Sequence, residues 1–318
     1  MRDIYSIGEM VIDFIPGSET GSYIRKAGGA PANVAIAVSK NGLKAGMCCK
    51  VGDDDFGRFL METLHTYQVE ALCPVLSKEA ITTMAFVTLS DQGERTFTFA
   101  RKPGADMLLS PEDVHADDIK ESVLIHAGSC SLSAEPERDA TEKALRLGHE
   151  SGKMVSFDVN YRNLMWNDDQ NACAQAVMDI LPYVDLLKIS EEEVDMMGGE
   201  AALPGLMQKH GVAVIVETLG SDGAKVYFQD KVFQVKGLKA KAVDATGAGD
   251  AFWGAFLSSL RIQGISAVQD LTEDILKTAL VYGNVSGCIC VQRKGAITSI
   301  PTRTQIEEYL KENMEERG

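Results

Sequence analysis

A nine-residue segment in the last quarter of the chain, 244–252 (Asp-Ala-Thr-Gly-Ala-Gly-Asp-Ala-Phe), carries the clearest chemical signal. Gly247 and Gly249 allow a tight backbone turn, and the apolar pattern that begins at Phe252 predicts a helix directly after it. The free N–H groups of a helix N-terminus form an anion site that suits a phosphate. Asp250 at this opening would either accept a proton from a substrate or stabilise the helix dipole, and the residues favour both interpretations equally.

A second glycine cluster lies at residues 27–33 (Ala-Gly-Gly-Ala-Pro-Ala-Asn) and leads into another helical pattern. Gly28 and Gly29 would let a small ligand approach the backbone, and Asn33 can both donate and accept hydrogen bonds, as a pair of sugar hydroxyls requires. An ordinary capped helix explains the same residues. Asp13 follows a nearby apolar run, which predicts a carboxylate at the end of a strand, where open α/β sheets bind ligands.

Two common phosphate-binding motifs are incomplete in this chain. Residues 148–154 are one residue short of a P-loop and lack its Ser or Thr, and residues 247–252 lack the third glycine of a dinucleotide fingerprint. A nicotinamide-dependent oxidoreductase would suit an α/β chain but is disfavoured for this reason.

Short apolar runs alternate with amphipathic stretches along most of the chain. The runs predicted to be buried strands are 47–51, 123–127, 154–157, 186–189 and 212–216. The stretches predicted to be helices are 54–68, 135–150, 170–181, 273–290 and 303–315. This alternation is typical of an α/β domain with a parallel sheet.

One region breaks the alternation. Residues 82–90 and 94–100 are rich in β-forming side chains and flank Asp91-Gln92-Gly93, which predicts a hairpin turn. We expect two antiparallel strands outside the main sheet, with the segment 13–26 able to pair with them. A lid over a ligand is the favoured interpretation, and an ordinary sheet edge is the alternative.

Composition excludes several classes of partner. The 318 residues include 46 acidic and 31 basic side chains, a net charge of −15, so neither nucleic acid nor an anionic membrane is an expected partner. Hydrophobic residues make up 45% of the chain, enough for one large domain with a buried core. Seven cysteines without a Cys-x-x-Cys pair predict free thiols, and the lack of a signal peptide or long apolar run predicts a cytoplasmic protein.

Three segments, in order and spacing, resemble the signatures of the PfkB/ribokinase-type carbohydrate kinases, and the match runs from residue 7 to about 301. They are the glycine cluster 28–33, residues 52–57 (Gly-Asp-Asp-Asp-Phe-Gly) and the segment 244–252. Further stretches resemble the bacterial fructokinase branch of that family, namely 8–13, 99–108, 157–166 and 188–193. The resemblance favours Asp250 as a catalytic base over Asp250 as a helix cap.

The resemblance implies a fold and a reaction. The fold is a single ribokinase-like domain over 1–318, a three-layer α/β/α core with a mostly parallel central sheet and a small β-sheet lid from about 14–26 and 82–106. The reaction is ATP-dependent phosphorylation of a primary hydroxyl of a small sugar, foremost D-fructose to fructose 6-phosphate, with Mg²⁺ as cofactor. Kinases of ribose, 2-keto-3-deoxygluconate or a nucleoside are the alternatives. A catalytically silent sugar-binding regulator is disfavoured because Asp250 and the glycine turn are intact.

The resemblance also implies roles for individual residues. Asp250 would take the proton from the sugar while the amides of Gly247, Ala248 and Gly249 stabilise the transferred phosphoryl group. The sugar would contact Asp13, Gly28, Gly29, Asn33, Arg162 and the lid residues Arg95, Phe97 and Phe99. The nucleotide would contact Ser190, Thr218, Gly220, Gly223, Gly249 and Asn284, with Ser190 standing where the family motif has asparagine.

Two cation sites and one assembly follow from the same resemblance. Glu193 would organise Mg²⁺ through water. A monovalent cation such as K⁺ would lie among mostly backbone oxygens of Asp244, Thr246, Cys290, Arg293, Gly295 and Ser299. Lids of this family often contribute to dimers, so a homodimer formed through the hairpin 82–100 is a further expectation.

Overall fold

The computed structural model describes residues 1–19, 21–89 and 95–315 and, within these ranges, every side chain except those of residues 89, 95–97 and 313–315. The described strands are β1 (Arg2–Ile7), β2 (Val11–Pro16), β3 (Tyr23–Gly28), β4 (Ala45–Cys48), β5 (Val69–Ala71), β6 (Met84–Leu89), β7 (Arg95–Ala100), β8 (Ser122–Gly128), β9 (Met154–Asp158), β10 (Leu186–Ser190), β11 (Val214–Thr218), β12 (Ala224–Phe228) and β13 (Lys231–Val235). The described α-helices are α1 (Ala30–Lys40), α2 (Asp55–Thr66), α3 (Ala116–Lys120), α4 (Glu137–Glu150), α5 (Gln170–Ile180), α6 (Leu203–His210), α7 (Ala248–Ile262), α8 (Glu273–Cys290), α9 (Ala296–Ser299) and α10 (Arg303–Glu315).

The main sheet has the strand order β13-β12-β11-β10-β9-β8-β1-β4-β5. Its strands from β11 to β5 run parallel, and β12 and β13 add an antiparallel edge. The predicted α/β fold with a mostly parallel sheet is therefore confirmed. The predicted strand 212–216 lies two residues further along, at Val214–Thr218, and the predicted strand 47–51 lies at Ala45–Cys48.

Helices cover both faces of the main sheet. In β1, Ile4 packs in a cluster shared with α1, α2, α7 and α8, whereas the next residue, Tyr5, packs in a cluster shared with α4, α5 and α6. Leu124 and Ile125 of β8 alternate in the same way, as side chains on a strand must. Because both faces are buried, these strands are apolar almost throughout, which is what made them recognisable in the sequence.

A separate small sheet has the order β3-β2-β6-β7. β6 and β7 are antiparallel and stand outside the main sheet as predicted, and β2 and β3 pair beside them. The predicted turn at 91–93 lies outside the described residues. Phe14 stacks on Phe86 at 4.9 Å between ring centroids and meets Phe56 of α2 at 5.5 Å, so one face of the small sheet rests on α2.

The opposite face of the small sheet carries Asp13. In the register of the sheet, Asp13 lies opposite Lys26 and Ala85, and Ala85 lies opposite Phe99. Since side chains directly opposite each other share a face, Asp13 and Phe99 lie on the side turned away from α2.

The structure also bears on the predicted free thiols and on the predicted lack of a membrane-spanning segment. All seven cysteines are buried and free, as the sequence predicts. Of the helices that the structure describes, none combines the length and the apolar character needed to cross a bilayer.

Candidate active site

Asp250 lies in the first turn of α7, behind a glycine turn. Gly247, the residue before the helix, has φ +76°, a left-handed conformation that glycine adopts without strain. The Asp250 side chain is buried, and its Oδ2 accepts a hydrogen bond of 2.7 Å from Nδ2 of Asn33 on α1. Burial raises the pKa of Asp250 above its ordinary value, and the Asn33 hydrogen bond partly offsets this. The result is a fixed carboxylate with increased proton affinity at the start of α7. Of the three predicted turn amides, that of Ala248 already donates to the carbonyl oxygen of Ala245 at 3.1 Å.

A cavity of about 410 Å³ opens at this carboxylate. Most of the predicted sugar-binding set lines it together with the glycine turn: Asp13, Gly29, Asn33, Phe99, Arg162, Gly247, Gly249 and Asp250. Asn33 also has a buried Oδ1 without a hydrogen-bond partner in the described part of the chain, so it can accept a ligand hydroxyl while it donates to Asp250. The structure thus brings together residues that lie more than 200 positions apart in the sequence.

Asp13 reaches the cavity in a different way from the one predicted. It is the third residue of β2 in the small sheet, not the last residue of a strand in the main sheet. Gly28 lies two residues beyond Lys26 on β3, and a Cβ at Gly28 would collide with Oδ2 of Asp13, so glycine is required there for the carboxylate to fit. The pKa of Asp13 is raised to about 6, first by burial and then by the charge of Asp250, while Arg162 lowers it.

Of the three predicted lid residues, the structure describes the side chain of one. Phe99 lines the cavity from β7. The backbone of Arg95 and Phe97 belongs to the same strand, but their side chains lie outside the described residues.

Lys188 is a site residue that the sequence analysis missed. It lies in β10, is 5% exposed, and its Nζ is 2.9 Å from both carboxylate oxygens of Asp158 on the neighbouring strand β9. Desolvation lowers the pKa of Lys188, but the charges of Asp158 and Glu193 outweigh it, so the pKa lies above its ordinary value. The ammonium group therefore stays charged, about 3.5 Å from where a Cβ on Gly249 would stand.

A second cavity of about 310 Å³ lies beside Lys188. Ser190, Thr218 and Gly249 of the predicted nucleotide set line it, together with Arg162 and Glu193. A lysine inside an otherwise apolar run was the signal in the sequence, because lysine is almost never buried without a charged partner.

The other predicted nucleotide residues line neither cavity. Gly220 and Gly223 bound the turn that follows β11. Asn284 of α8 donates its Nδ2 to the carbonyl oxygens of Val235 (3.2 Å) and Lys236 (3.3 Å), which fixes the segment after β13.

Comparison with known proteins agrees with this geometry. A family model described as "pfkB family carbohydrate kinase" matches residues 1–303. The chain belongs to this family. It is therefore a phosphotransferase that uses an alcohol group as the acceptor.

Similar proteins cover almost the whole chain. Fructokinase-1 of Zea mays is 38% identical, with 96% of this chain and 97% of the maize protein aligned, and probable fructokinase-2 of Arabidopsis thaliana is 36% identical, with 98% and 97% aligned. The crystal structure of a fructokinase with bound ATP from Xylella fastidiosa superimposes with a TM-score of 0.92 at 28% identity, covering 98% of this chain and 99% of that one. A fructokinase from Vibrio cholerae O395, in a form that holds fructose, ADP and calcium ion, gives 0.86 at 32% identity, with 98% and 99% covered.

In this kinase, Glu193 joins the end of β10 to the segment that follows β9, beside the second cavity. Its Oε1 accepts the N–H of Tyr161 at 2.6 Å, its Oε2 accepts the N–H of Ser190 at 2.9 Å, and burial raises its pKa. Each carboxylate oxygen has a further lone pair, so the group fits a water-mediated contact to Mg²⁺. Among the described residues, no cluster of three or more His, Cys, Asp and Glu side chains could hold a metal ion directly.

Two segments of the kinase meet where a monovalent cation was expected. Asp244 accepts hydrogen bonds from Thr246 through Oδ1 and from the N–H of Gly295 through Oδ2, at 3.0 Å. The carbonyl oxygen of Thr246 lies 3.9 Å from Sγ of Cys290, and Arg293 is exposed. Oγ of Ser299 is buried without a hydrogen-bond partner in the described ranges, an orphaned oxygen that fits a cation ligand.

Replacement of Gly247 by alanine tests the glycine turn. The new Cβ would be held at positive φ and would lie 2.7 Å from Cβ of Ala296, so the turn and its amides must shift. We expect kcat to fall by roughly 10²-fold, the typical loss when one backbone or side-chain donor to a developing charge is removed. Steady-state kinetics with a saturating sugar and ATP measure it.

Gly264→Ala is the matched control. Gly264 also has positive φ (+83°), but no atom lies within 4 Å of the position of its Cβ. It carries the same backbone strain at the end of α7 without the collision. Equal kinetic effects of the two substitutions would contradict the role given to the turn at Gly247.

Proposed function

We propose that this kinase transfers the γ-phosphoryl group of ATP to the 6-hydroxyl of D-fructose. The observation that carries the proposal is the buried carboxylate of Asp250, which Asn33 holds in the wall of a 410 Å³ cavity that Asp13 and Arg162 also line. The fructokinase relatives at 36–38% identity over almost the full chain support fructose as the acceptor.

The side chains of this chain divide the work of the reaction. Asp250 accepts the proton of the sugar hydroxyl, and its raised pKa makes it a stronger base than an exposed aspartate. Asn33 orients that carboxylate. The amides of Gly247 and Gly249, which line the cavity, and the ammonium group of Lys188 face the phosphoryl group and stabilise its negative charge. Fixed geometry supplies much of the remaining rate acceleration.

We propose Mg²⁺ as the metal cofactor and K⁺ as an additional cation. Mg²⁺, when bound, neutralises charge on the β- and γ-phosphates. Glu193 would hold it through water, and the segments around Asp244 and Ser299 would hold K⁺. Structures of similar proteins contain ATP with Mg²⁺, or fructose and ADP with calcium or potassium ion, which supports both assignments.

We further propose that the chain is one ribokinase-like domain, 1–318, whose small sheet, with the segments from about 14–26 and 82–106, acts as a lid. Asp13 and Phe99 on one face of that sheet line the sugar cavity, which supports this role. Closure of the lid would exclude water and limit wasteful hydrolysis of ATP.

The small sheet also supports a proposed homodimer. Tyr23 and Ile24 at the start of its edge strand β3 are 45% and 48% exposed, and exposed apolar side chains on an edge strand are suited to contact with another chain. We place the enzyme in the cytoplasm, since seven unpaired thiols are typical of a reducing compartment.

A panel of acceptors tests the proposed function. Purified enzyme with MgATP is given fructose, ribose, 2-keto-3-deoxygluconate or aminoimidazole riboside, and ADP release is recorded. We expect the highest kcat/KM with fructose, and a product that glucose-6-phosphate isomerase and dehydrogenase consume, because these enzymes accept the 6-phosphate. The riboside is included because an aminoimidazole riboside kinase from Salmonella enterica superimposes with a TM-score of 0.84.

Each other outcome of the panel selects a different function. A higher kcat/KM for another acceptor would replace fructose by that acceptor. Sugar binding without any ADP release would indicate a silent regulator.

A further inference from the structure

Glu9 lies on the segment that leads from the main sheet to the small sheet. Residues 8–10 join β1 to β2. Oε1 of Glu9 accepts a hydrogen bond of 3.0 Å from the N–H of Ala30, the first residue of α1. Since α1 follows β3 through Gly29, this carboxylate ties two of the connections to the small sheet to each other.

The other oxygen of Glu9 is unpaired. Glu9 is 4% exposed and lines the 410 Å³ cavity, and its Oε2 has no hydrogen-bond partner in the described part of the chain. A buried carboxylate oxygen without a partner costs free energy, which a ligand hydroxyl in the cavity would offset. This oxygen has no role in the proton transfer to Asp250 or in the stabilisation of the phosphoryl group.

The spacing along α1 places Glu9 away from the reacting hydroxyl. Glu9 binds the N–H of Ala30, whereas Asn33, three residues later, binds Asp250. Three residues of α-helix rise about 4.5 Å. A hexose whose 6-hydroxyl meets Asp250 therefore has its other end available to Glu9.

We propose that Oε2 of Glu9 accepts a hydrogen bond from a hydroxyl at the anomeric end of fructose, the 1- or 2-hydroxyl, and that Glu9 thereby determines the choice of acceptor. The inference rests on the proposed function. An acceptor that lacks the hydroxyl leaves a buried carboxylate oxygen unpaired, and sites of this kind reject such analogues strongly. Burial raises the pKa of Glu9 to about 7, so at pH 8 most of the carboxylate is ionised and acts as an acceptor.

The test compares Glu9→Gln with the wild-type enzyme at pH 8 on three acceptors: fructose, 1-deoxyfructose and 2,5-anhydromannitol, which lacks the anomeric hydroxyl. The Gln amide oxygen still accepts the N–H of Ala30, but an NH₂ group replaces Oε2. We expect kcat/KM for fructose to fall roughly ten- to a hundredfold, as for a lost charged hydrogen bond. For the analogue that lacks the contacted hydroxyl, the substitution should change kcat/KM less than threefold.

Glu137→Gln is the matched control. Glu137 is also buried with one unpartnered oxygen, and its Oε2 is bound by Arg101 at 3.0 Å, but it does not line the cavity. Its substitution should change kcat/KM for all three acceptors by the same factor. Glu9→Asp, which withdraws the carboxylate by one methylene, serves the same comparison if the Gln variant does not fold.

The same experiment distinguishes a wrong role for Glu9 from a wrong acceptor. A loss in Glu9→Gln that is equal for all three acceptors would overturn the role of Glu9, while fructose phosphorylation by the wild-type enzyme stands. A wild-type enzyme that does not phosphorylate fructose would overturn the proposed function itself.

Discussion

Asp250→Asn is expected to lower kcat by at least 10²- to 10⁴-fold, the range typical of a lost general base. The asparagine has the same shape, and its Oδ1 can still accept the hydrogen bond that Asn33 now donates to Asp250 at 2.7 Å. The substitution removes the negative charge and, with it, the ability to take a proton. Sugar-dependent ADP release and the thermal midpoint of the same preparation measure the effect on turnover and on folding.

A second variant separates catalysis from stabilisation of a helix. Asp55 occupies the first turn of α2, where it pairs with Arg58 on the surface and lines neither cavity. Asp55→Asn removes the same charge from a helix N-terminus, and we expect a small loss of stability with unchanged turnover. Near-normal turnover in Asp250→Asn would overturn the assignment of Asp250 as the base.

Lys188→Met is expected to impair both stability and phosphoryl transfer. Without the ammonium group, the buried carboxylate of Asp158 loses its partner at 2.9 Å, and breaking a buried ion pair from one side costs about 3–5 kcal/mol. The positive charge beside Gly249 is lost as well, for which we expect a roughly 10²-fold lower kcat. Chemical denaturation and steady-state kinetics measure the two effects separately.

The double variant Lys188→Met with Asp158→Asn divides these two roles. Removing both charges relieves the unpaired carboxylate, so most of the lost stability should return. Turnover should remain low, because the ammonium group beside Gly249 is still missing. If turnover returns together with stability, Lys188 acts only in folding.

The fold could be predicted where the signal is local. The apolar spacing in 273–290 and 303–315 gave both helices at the ends that the structure has, Glu273–Cys290 and Arg303–Glu315. The sheet to which a strand belongs is not a local property. The residues of β2 show an apolar pattern like that of β1, and only the pairing with β3 and β6 places Asp13 in the small sheet.

The candidate site was predictable as motifs but not as contacts. The sequence identifies Asp250 and Asn33 separately, whereas their hydrogen bond joins α7 to α1 across 217 positions. Lys188 was missed because its partner Asp158 lies on another strand, 30 residues earlier. Glu9 lies in the segment 8–13 that resembles the fructokinase branch, but its unpaired oxygen becomes apparent only once β1, α1 and the cavity are assembled.

The burial of all seven cysteines has a practical consequence for chemical labelling. Burial raises the pKa of Cys48 and Cys290 to about 12 and that of Cys73 and Cys173 to about 11, so reactive thiolate is scarce at neutral pH. Maleimide and disulfide reagents will therefore modify the native enzyme slowly, at a rate set by opening of the fold. A single cysteine introduced at an exposed position of β3 would therefore react with a thiol reagent much faster than the native cysteines. A fluorophore attached there would report movement of the small sheet when the sugar binds.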